Sequence, residues 1–448
     1  MRTNWTLHVE KFAKINVAEV RTTPLMCFVG DNNSGKSYLL SLLWGILTLG
    51  KEYFPKSPSE AKSYKHCENW LKTCLGKETE ISEDVIALYV QWYNDLLAKN
   101  KGNILKRIFN HDVDAAIIEI KNYKRNNKLI LRWNEEGQRF SSGSNTAESY
   151  VKFPEQQEYS REQLLRMNAY LCWYILMEGI AAPLYTNIIK GRRMGEPIYL
   201  PASRTGFMLT YPQLVEASIR ATFASEIAEN TTSLTLPYVD FLQLITKFEI
   251  KSKTKKTDVK SWAAEYIENN MIKGSVSVKK DTIPIIRYKP KGTEKELPLF
   301  VSSSIVTEIS PLLLLFKSDI DFKSLIIEEP EAHLHPELQV KMSRLIVNLI
   351  NRGIPVWITT HSDTILQHIN NMIMLNNNPE NKALIEKYNY KKDDMLDTSN
   401  VSMYQFCQRS DGKTDLKSLE TTEYGFVVPT FNDALEKITE QVYDFQGE

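Results

Sequence analysis

The eight residues Gly30-Asp31-Asn32-Asn33-Ser34-Gly35-Lys36-Ser37 constrain this chain more than any other stretch, because of what flanks them. Before them residues 25–29 form a short apolar run suited to a buried strand. After them Leu39, Leu40, Leu42, Leu43, Ile46 and Leu47 crowd one face of a helical pattern. A strand, a glycine loop ending in Lys-Ser and an amphipathic helix together make a phosphate cradle. The two glycines let backbone N–H groups turn toward phosphate, and the helix N-terminus adds the positive end of its dipole. In such a cradle Lys36 is expected to bridge the β and γ phosphates of a nucleoside triphosphate, with the small Ser37 hydroxyl as a magnesium ligand.

A magnesium triphosphate also needs a carboxylate from a neighbouring strand, and residues 325–329 (Leu-Ile-Ile-Glu-Glu) end in two. An apolar strand closing on two acids is costly unless they meet water or a cation. Solvation alone would satisfy them; beside a phosphate cradle, Glu328 reads as the magnesium-side acid and Glu329 as the base that polarises the attacking water. Another apolar run, residues 354–359, leads into Thr360-His361-Ser362-Asp363. Parallel-sheet enzymes place their groups at the carboxyl ends of strands, so His361 is expected to sense the γ phosphate. The expected catalytic set is Lys36, Glu329 and His361. His333 and His335, with His361 and His368 downstream, could suggest zinc, but no cysteine lies near them and the nucleotide site already accounts for this region.

Strands alternating with helices on either side of these motifs imply right-handed crossovers and a mixed, mostly parallel sheet, an α/β P-loop NTPase. Short strands are expected from Trp5 onward, then at residues 197–201, 324–327 and 354–359, a hairpin at 274–288, and helices at 309–316 and 337–351. Residues 1–50 and 195–448 are assigned to this body. Residues 51–194 read as a mainly helical insertion, with helical patterns at 68–75, 83–99 and 161–189 broken by the polar stretch 140–149. A short strand and a final amphipathic helix are expected within residues 421–445.

With 448 residues the chain can bury one large core or two moderate ones. Lys plus Arg and Asp plus Glu both number 55, so binding to nucleic acid or an anionic membrane would have to come from local patches. The five cysteines are scattered without a CxxC pair, which disfavours a disulfide framework and fits a reducing cytoplasm. No apolar signal core is read at the N-terminus. The longest apolar stretch, residues 170–185, is too short to span a membrane and contains Glu178 and Gly179.

The motifs GDNNSGKS, LIIEEPEAHLHPE and ITTHSD, with Tyr199-Leu-Pro-Ala-Ser-Arg204-Thr-Gly-Phe207, resemble the ABC-like ATPases of the overcoming-lysogenization-defect, Gabija, Septu and PARIS anti-phage group, distant kin of the chromosome-maintenance ATPases. The resemblance implies an ABC/SMC-like head that dimerises around two ATP molecules, each held between one subunit's P-loop and the other's signature segment. Here that segment is residues 301–308, where Ser304 replaces the usual glycine and either Ser302 or Ser303 would make the contact in trans. A plain N-capping serine cluster would read the same way. In this reading residues 330–336 are an interface loop. Arg204 either couples the nucleotide to the insertion or a partner, or is an ordinary surface or salt-bridged arginine. Some of these relatives carry a Toprim nuclease domain; here little chain follows the last strand signals, so the expectation is a stand-alone ATPase subunit acting with a separately encoded effector, a nuclease.

Two functions compete: an ATPase sensor that holds or releases a toxic partner, and a DNA-engaging repair or clamp ATPase. The second would use the lysines of residues 251–260 and 279–295, which could equally be solvated hairpin charges. A transporter's nucleotide-binding subunit is disfavoured by the unusual signature and the large insertion. A small-molecule kinase is disfavoured by the tandem acids, which suit activation of water. ATP and magnesium are the expected cofactors, a homodimer or higher homo-oligomer the expected assembly, and the cytoplasm the expected location.

Overall fold

The apolar run before the glycine loop forms a strand in which all six residues, Leu25–Gly30, are buried. Strands covered on both faces read as continuous apolar runs, not as alternation, and this one sits mid-sheet for that reason. The computed structural model describes residues 3–134, 139–185, 195–223, 234–249, 258–279, 284–422, 425–427 and 439–445. In chain order its elements are β1 (Thr3–Phe12), β2 (Ile15–Arg21), β3 (Leu25–Gly30), α1 (Lys36–Leu49), α2 (Lys62–Thr73), β4 (Thr79–Glu80), α3 (Glu83–Phe109), β5 (Ile117–Arg125), β6 (Lys128–Asn134), β7 (Ser141–Ser144), β8 (Glu148–Pro154) and α4 (Arg161–Met177). There follow β9 (Glu196–Leu200), α5 (Arg204–Phe223), α6 (Leu236–Thr246), α7 (Val259–Asn270), β10 (Gly274–Lys279), β11 (Ile285–Pro290), β12 (Leu297–Pro298), α8 (Ser304–Lys317), β13 (Phe322–Glu328), α9 (Pro336–Asn351), β14 (Val356–Thr359), α10 (Asp363–Asn377), α11 (Asn381–Lys387), β15 (Val401–Gln408) and β16 (Thr414–Leu419).

The chain divides into two compact units. One comprises residues 1–22, 41–197 and 321–324. In it β1 pairs antiparallel with both β2 and β5, and Trp5 donates its indole N–H to the carbonyl of Leu176 at 2.8 Å. Helices α2, α3 and α4 pack through Tyr64, Tyr89, Trp92, Tyr93 and Trp173, all nearly fully buried, and Tyr89 donates its hydroxyl to Asn168 at 2.8 Å. Within residues 51–194 the helices α2, α3 and α4 account for more residues than the strands. The strands β4 to β8, with β4, β6, β8 and β7 forming a small sheet, are an addition. Their charged, half-exposed residues resemble a helix surface as closely as a sheet face.

The other unit comprises residues 23–40, 198–320 and 325–448. Its sheet runs in the order β16, β15, β3, β14, β13, β9, with β15, β3, β14 and β13 mutually parallel and β16 antiparallel on β15. This is the mixed, mostly parallel α/β arrangement expected of a P-loop ATPase fold. The expected hairpin at 274–288 is β10 and β11. Strand β15, beside the P-loop strand, was not anticipated; Ser402 and Gln405 interrupt its apolar run. The lysines at 251, 253, 255 and 256 and most of the expected C-terminal strand and helix lie outside the described residues.

Helices α9 and α10 meet at His368, whose Nδ1 lies 2.8 Å from the Ser343 hydroxyl and whose Nε2 lies 3.1 Å from that of Tyr390. Burial, reinforced by the charge of Arg344 and opposed by Asp394, pushes its pKa down to about 4. The folded chain thus binds fewer protons here than the unfolded one. The stability this histidine contributes is whole above pH 6.5 and is lost as pH falls toward 4. Thermal melts across that window should show a steeper acid loss for the parent than for His368→Gln, which keeps a hydrogen-bonding amide but cannot titrate; equal slopes would refute the assignment.

Candidate functional site

Register decides where the functional side chains emerge. Phe28 of β3 pairs with Thr359 of β14, and Thr359 pairs with Glu328 of β13, so three carboxyl ends finish side by side. At the usual strand spacing Phe28 and Glu328 are roughly 10 Å apart. The next residues along each strand, the loop from Gly30, the pair Thr360 and His361, and Glu329, all leave from one edge. Backbone hydrogen bonds extend the ladder past the strands: Thr360 N–H donates to Phe28 O at 3.1 Å and Glu329 N–H to Thr359 O at 3.0 Å.

The loop turns at Gly30, with φ of 142°, where an added Cβ would lie 2.8 Å from the Cβ of Phe406 and 2.9 Å from its carbonyl. No other residue could hold that position beside β15. Asn33 and Gly35 also have positive φ, 61° and 105°. Lys36 is buried and its Nζ donates to the carbonyls of Gly30 at 2.9 Å and Asp31 at 2.7 Å. Burial lowers its pKa, opposed by Glu329, Asp31, Glu328 and Glu331. The cradle therefore carries a desolvated cation resting on its own loop. Ser37 is exposed at the start of α1.

Glu328 is 1% exposed. Its Oε2 accepts from the Ala202 N–H at 3.1 Å and the Tyr238 hydroxyl at 3.3 Å, while Oε1 is buried with no partner among the described residues. An orphaned carboxylate oxygen is expensive, and a cation is what it lacks. With Ser37 this is an all-oxygen donor pair, which suits magnesium. Glu329 is only half-buried and sits at φ 44°, left-handed, so the chain turns sharply off β13 and presents its side chain at the strand end.

His361 is half-buried, and burial, then the charge of Lys36, lowers its pKa, with Glu329 and Asp31 opposing. A neutral imidazole within the field of Lys36 follows. Its backbone N–H donates to Oε1 of Glu331 at 2.6 Å. Burial raises the pKa of Glu331. Glu331 thus holds the His361 backbone, and lies inside the loop expected at an interface. His335 caps α9 through its Nδ1 at 3.5 Å from the Glu337 N–H, and His368 belongs to the α9–α10 contact.

Arg204 is the residue whose weight the sequence understated. Buried at the start of α5, it donates from NH1 to the carbonyls of Pro201 at 3.0 Å and Glu328 at 2.5 Å, and from NH2 to that of Glu329 at 2.9 Å. It also pairs with Glu308 of α8, which Thr205 holds through its hydroxyl. Of the alternatives for Arg204 the salt-bridged one is observed, and it grips the backbone that carries both acids.

Glu308 stands one turn after the serine cluster. Ser303 is the N-cap of α8 yet makes no side-chain cap bond; it and Ser304 are exposed, while Ser302 donates to Pro298 O at 3.2 Å. Neither Ser302 nor Ser303 hydrogen-bonds to Lys36, Glu328 or His361 of the same chain. Of the lysines considered for nucleic acid, Lys260 is used internally, its Nζ donating to Ser318 O at 2.6 Å and Ile320 O at 2.8 Å. Lys279, Lys291 and Lys295 are exposed.

A phosphate cradle, tandem acids and a histidine on one edge of a parallel sheet agree with the match of residues 6–366 to the AAA ATPase domain model. The chain belongs to the AAA ATPase domain family. No curated protein matches this AAA ATPase domain chain. Among solved structures it is similar to an Smc head bound to the C-winged helix domain of ScpA, at 14% identity over 93% of this chain and 97% of that one, TM-score 0.37. It is also similar to the SMC head domain from Thermotoga maritima, at 10% identity over 94% and 100%, TM-score 0.34. A third is an Smc head with an extended coiled coil, bound to the C-terminal domain of ScpA and derived from Pyrococcus furiosus, at 12% identity over 98% and 99%, TM-score 0.35. Among the described residues of this AAA ATPase domain chain no helix is long and apolar enough to cross a membrane.

Arg204 contacts the backbone that carries both acids, and that contact can be tested. Arg204→Lys, whose three donors cannot serve three carbonyls and Glu308 at once, should lower kcat for ATP roughly tenfold to a hundredfold. ATP affinity should stay within a few-fold of the parent. Steady-state turnover and equilibrium nucleotide binding separate the two effects; parallel losses in both would mean a merely structural role.

Proposed function

We propose that this chain binds ATP with magnesium and hydrolyses it while closed on a second copy of itself, and that this cycle controls a separately encoded effector, a nuclease, in anti-phage defence. The observation that carries the hydrolytic part is the shared edge at which Lys36, Glu328, Glu329 and His361 emerge.

The N–H groups of residues 30–37 bind the phosphate chain, and Lys36 exchanges its loop carbonyls for phosphate oxygens. Phosphate charge restores what burial takes from that ammonium. Ser37 and the open oxygen of Glu328 would hold magnesium, which when bound draws charge from the phosphate oxygens. Glu329, free to turn outward, orients the attacking water and takes its proton as the bond to the γ phosphorus forms and the bond to ADP breaks. A neutral His361 donates an N–H to the γ phosphate. Arg204 and Glu331 keep Glu328, Glu329 and His361 where these contacts require them.

The dimer is supported by the face around α8. Phe300 is 74% and Val301 56% exposed, beside the exposed hydroxyls of Ser303 and Ser304 and a helix N-terminus that no side chain caps. Apolar side chains next to free N–H donors suit a protein partner that brings a phosphate. The defence role and its effector are supported by the motif resemblance of residues 30–37, 325–337 and 358–363.

Lys36→Ala should abolish ATP binding. Glu329→Gln should retain ATP, hydrolyse it slower by roughly a hundredfold to ten-thousandfold, and accumulate as a dimer. Turnover, retained nucleotide and mass in solution report all three. Parental turnover in Glu329→Gln would remove it as the base and bring Glu331 or Glu328 forward.

A further inference from the structure

One cavity in the first unit takes no part in the site above. It encloses about 260 Å³ and is lined by Arg139, Phe140, Tyr159, Arg166, Met167 and Tyr185, with Pro154, Gln156 and Gln163 completing the wall. That volume lies just below the roughly 300–1,000 Å³ typical of small-ligand sites.

Its chemistry is of one kind. Tyr185 is 43% exposed and stacked on the buried Tyr170, ring centroids 6.1 Å apart at 15° between planes. Phe140 fixes both rings from the side, 5.9 Å from Tyr185 and 5.5 Å from Tyr170, and is itself packed on Phe153 at 4.9 Å. The result is an aromatic wall held rigid from behind. Arg166 and Arg139 are both exposed, and Arg166 also hydrogen-bonds Tyr185. The Arg166 guanidinium lies 5.5 Å from the Tyr185 ring centroid, over its face. Gln163 donates to Gln156 at 2.9 Å and accepts from the Ser160 N–H at 2.7 Å, which leaves amide N–H donors of both glutamines on the rim.

A braced aromatic face binds a planar ring by stacking, and two exposed guanidiniums can bind an anion beside it. Spare amides read the edge of a heterocycle. A nucleoside monophosphate combines a planar base with one phosphate within a size this cavity can take. We propose that the cavity is a second nucleotide site, which binds a nucleoside monophosphate with the base against Tyr185 and Phe140 and the phosphate on Arg166 and Arg139. It stands independently of the ATP-hydrolysing reading.

The test uses full-length protein carrying Lys36→Ala, so that the P-loop contributes no binding, and titrates it calorimetrically with AMP, GMP, CMP and UMP. At least one should bind with a stoichiometry of one per chain. Adding Tyr185→Ala or Arg166→Ala should weaken that nucleotide roughly tenfold or more. Each of these substitutions in the otherwise unchanged protein should leave ATP turnover at the parental rate, which guards against misfolding. The proposal is overturned if none of the four binds, if inorganic phosphate alone binds as tightly as the nucleotide, if only an oligonucleotide binds, or if binding survives both substitutions.

Discussion

The parallel pairing of β3, β14 and β13 is the constraint from which the rest follows. A slip of one residue would turn every side chain of a strand to its other face and carry Glu328 away from Lys36. The register is pinned at the end remote from the site. Val356 N–H donates to Pro24 O at 2.8 Å, Leu325 N–H to Pro355 O at 2.9 Å, and the buried Trp357 indole to Thr23 O at 3.0 Å. Apolar strands with no alternation cannot set their own register, so these fixed points at the amino ends determine which residues share the carboxyl edge.

At that edge several charges are buried together, which is stable only if each is answered. Arg204 and Glu308 are a desolvated pair whose attraction must offset the cost of removing both from water. Burial lowers the pKa of the one and raises that of the other, each opposed by its partner. Three backbone carbonyls share the guanidinium, and a hydroxyl shares the carboxylate. A hydrophobic pair could fill the same space, but it would not fix the carbonyls of Glu328 and Glu329. The pair also ties the helix carrying the serine cluster to the strand carrying the acids, so a load on one is felt by the other.

The legibility of these features differs for physical reasons. The strand, loop and helix around residues 25–49 were readable because burial on both faces leaves an unbroken apolar run and because the phosphate cradle needs glycine at fixed places. Strands β5, β6 and β8 were not, since a partly exposed strand such as Lys-Leu-Ile-Leu-Arg-Trp-Asn has too little contrast to separate it from a helical surface. Strand β15 hid behind Ser402 and Gln405, polar residues that the sheet accommodates. Arg204 could be located by motif, but a buried arginine and a surface one have the same local sequence.

By itself, then, the sequence determined the chemistry available: a lysine after a glycine loop, two acids after one apolar strand, a histidine after another. These are local facts, set by residue type and by spacing along a single segment. The tertiary structure alone decided that Phe28, Thr359 and Glu328 stand abreast, that Arg204 faces Glu308 and the two glutamate carbonyls, and that Tyr185 is braced against Tyr170. Each of those depends on pairings between segments far apart in the chain, whose free energy comes from burial and register that no single segment contains.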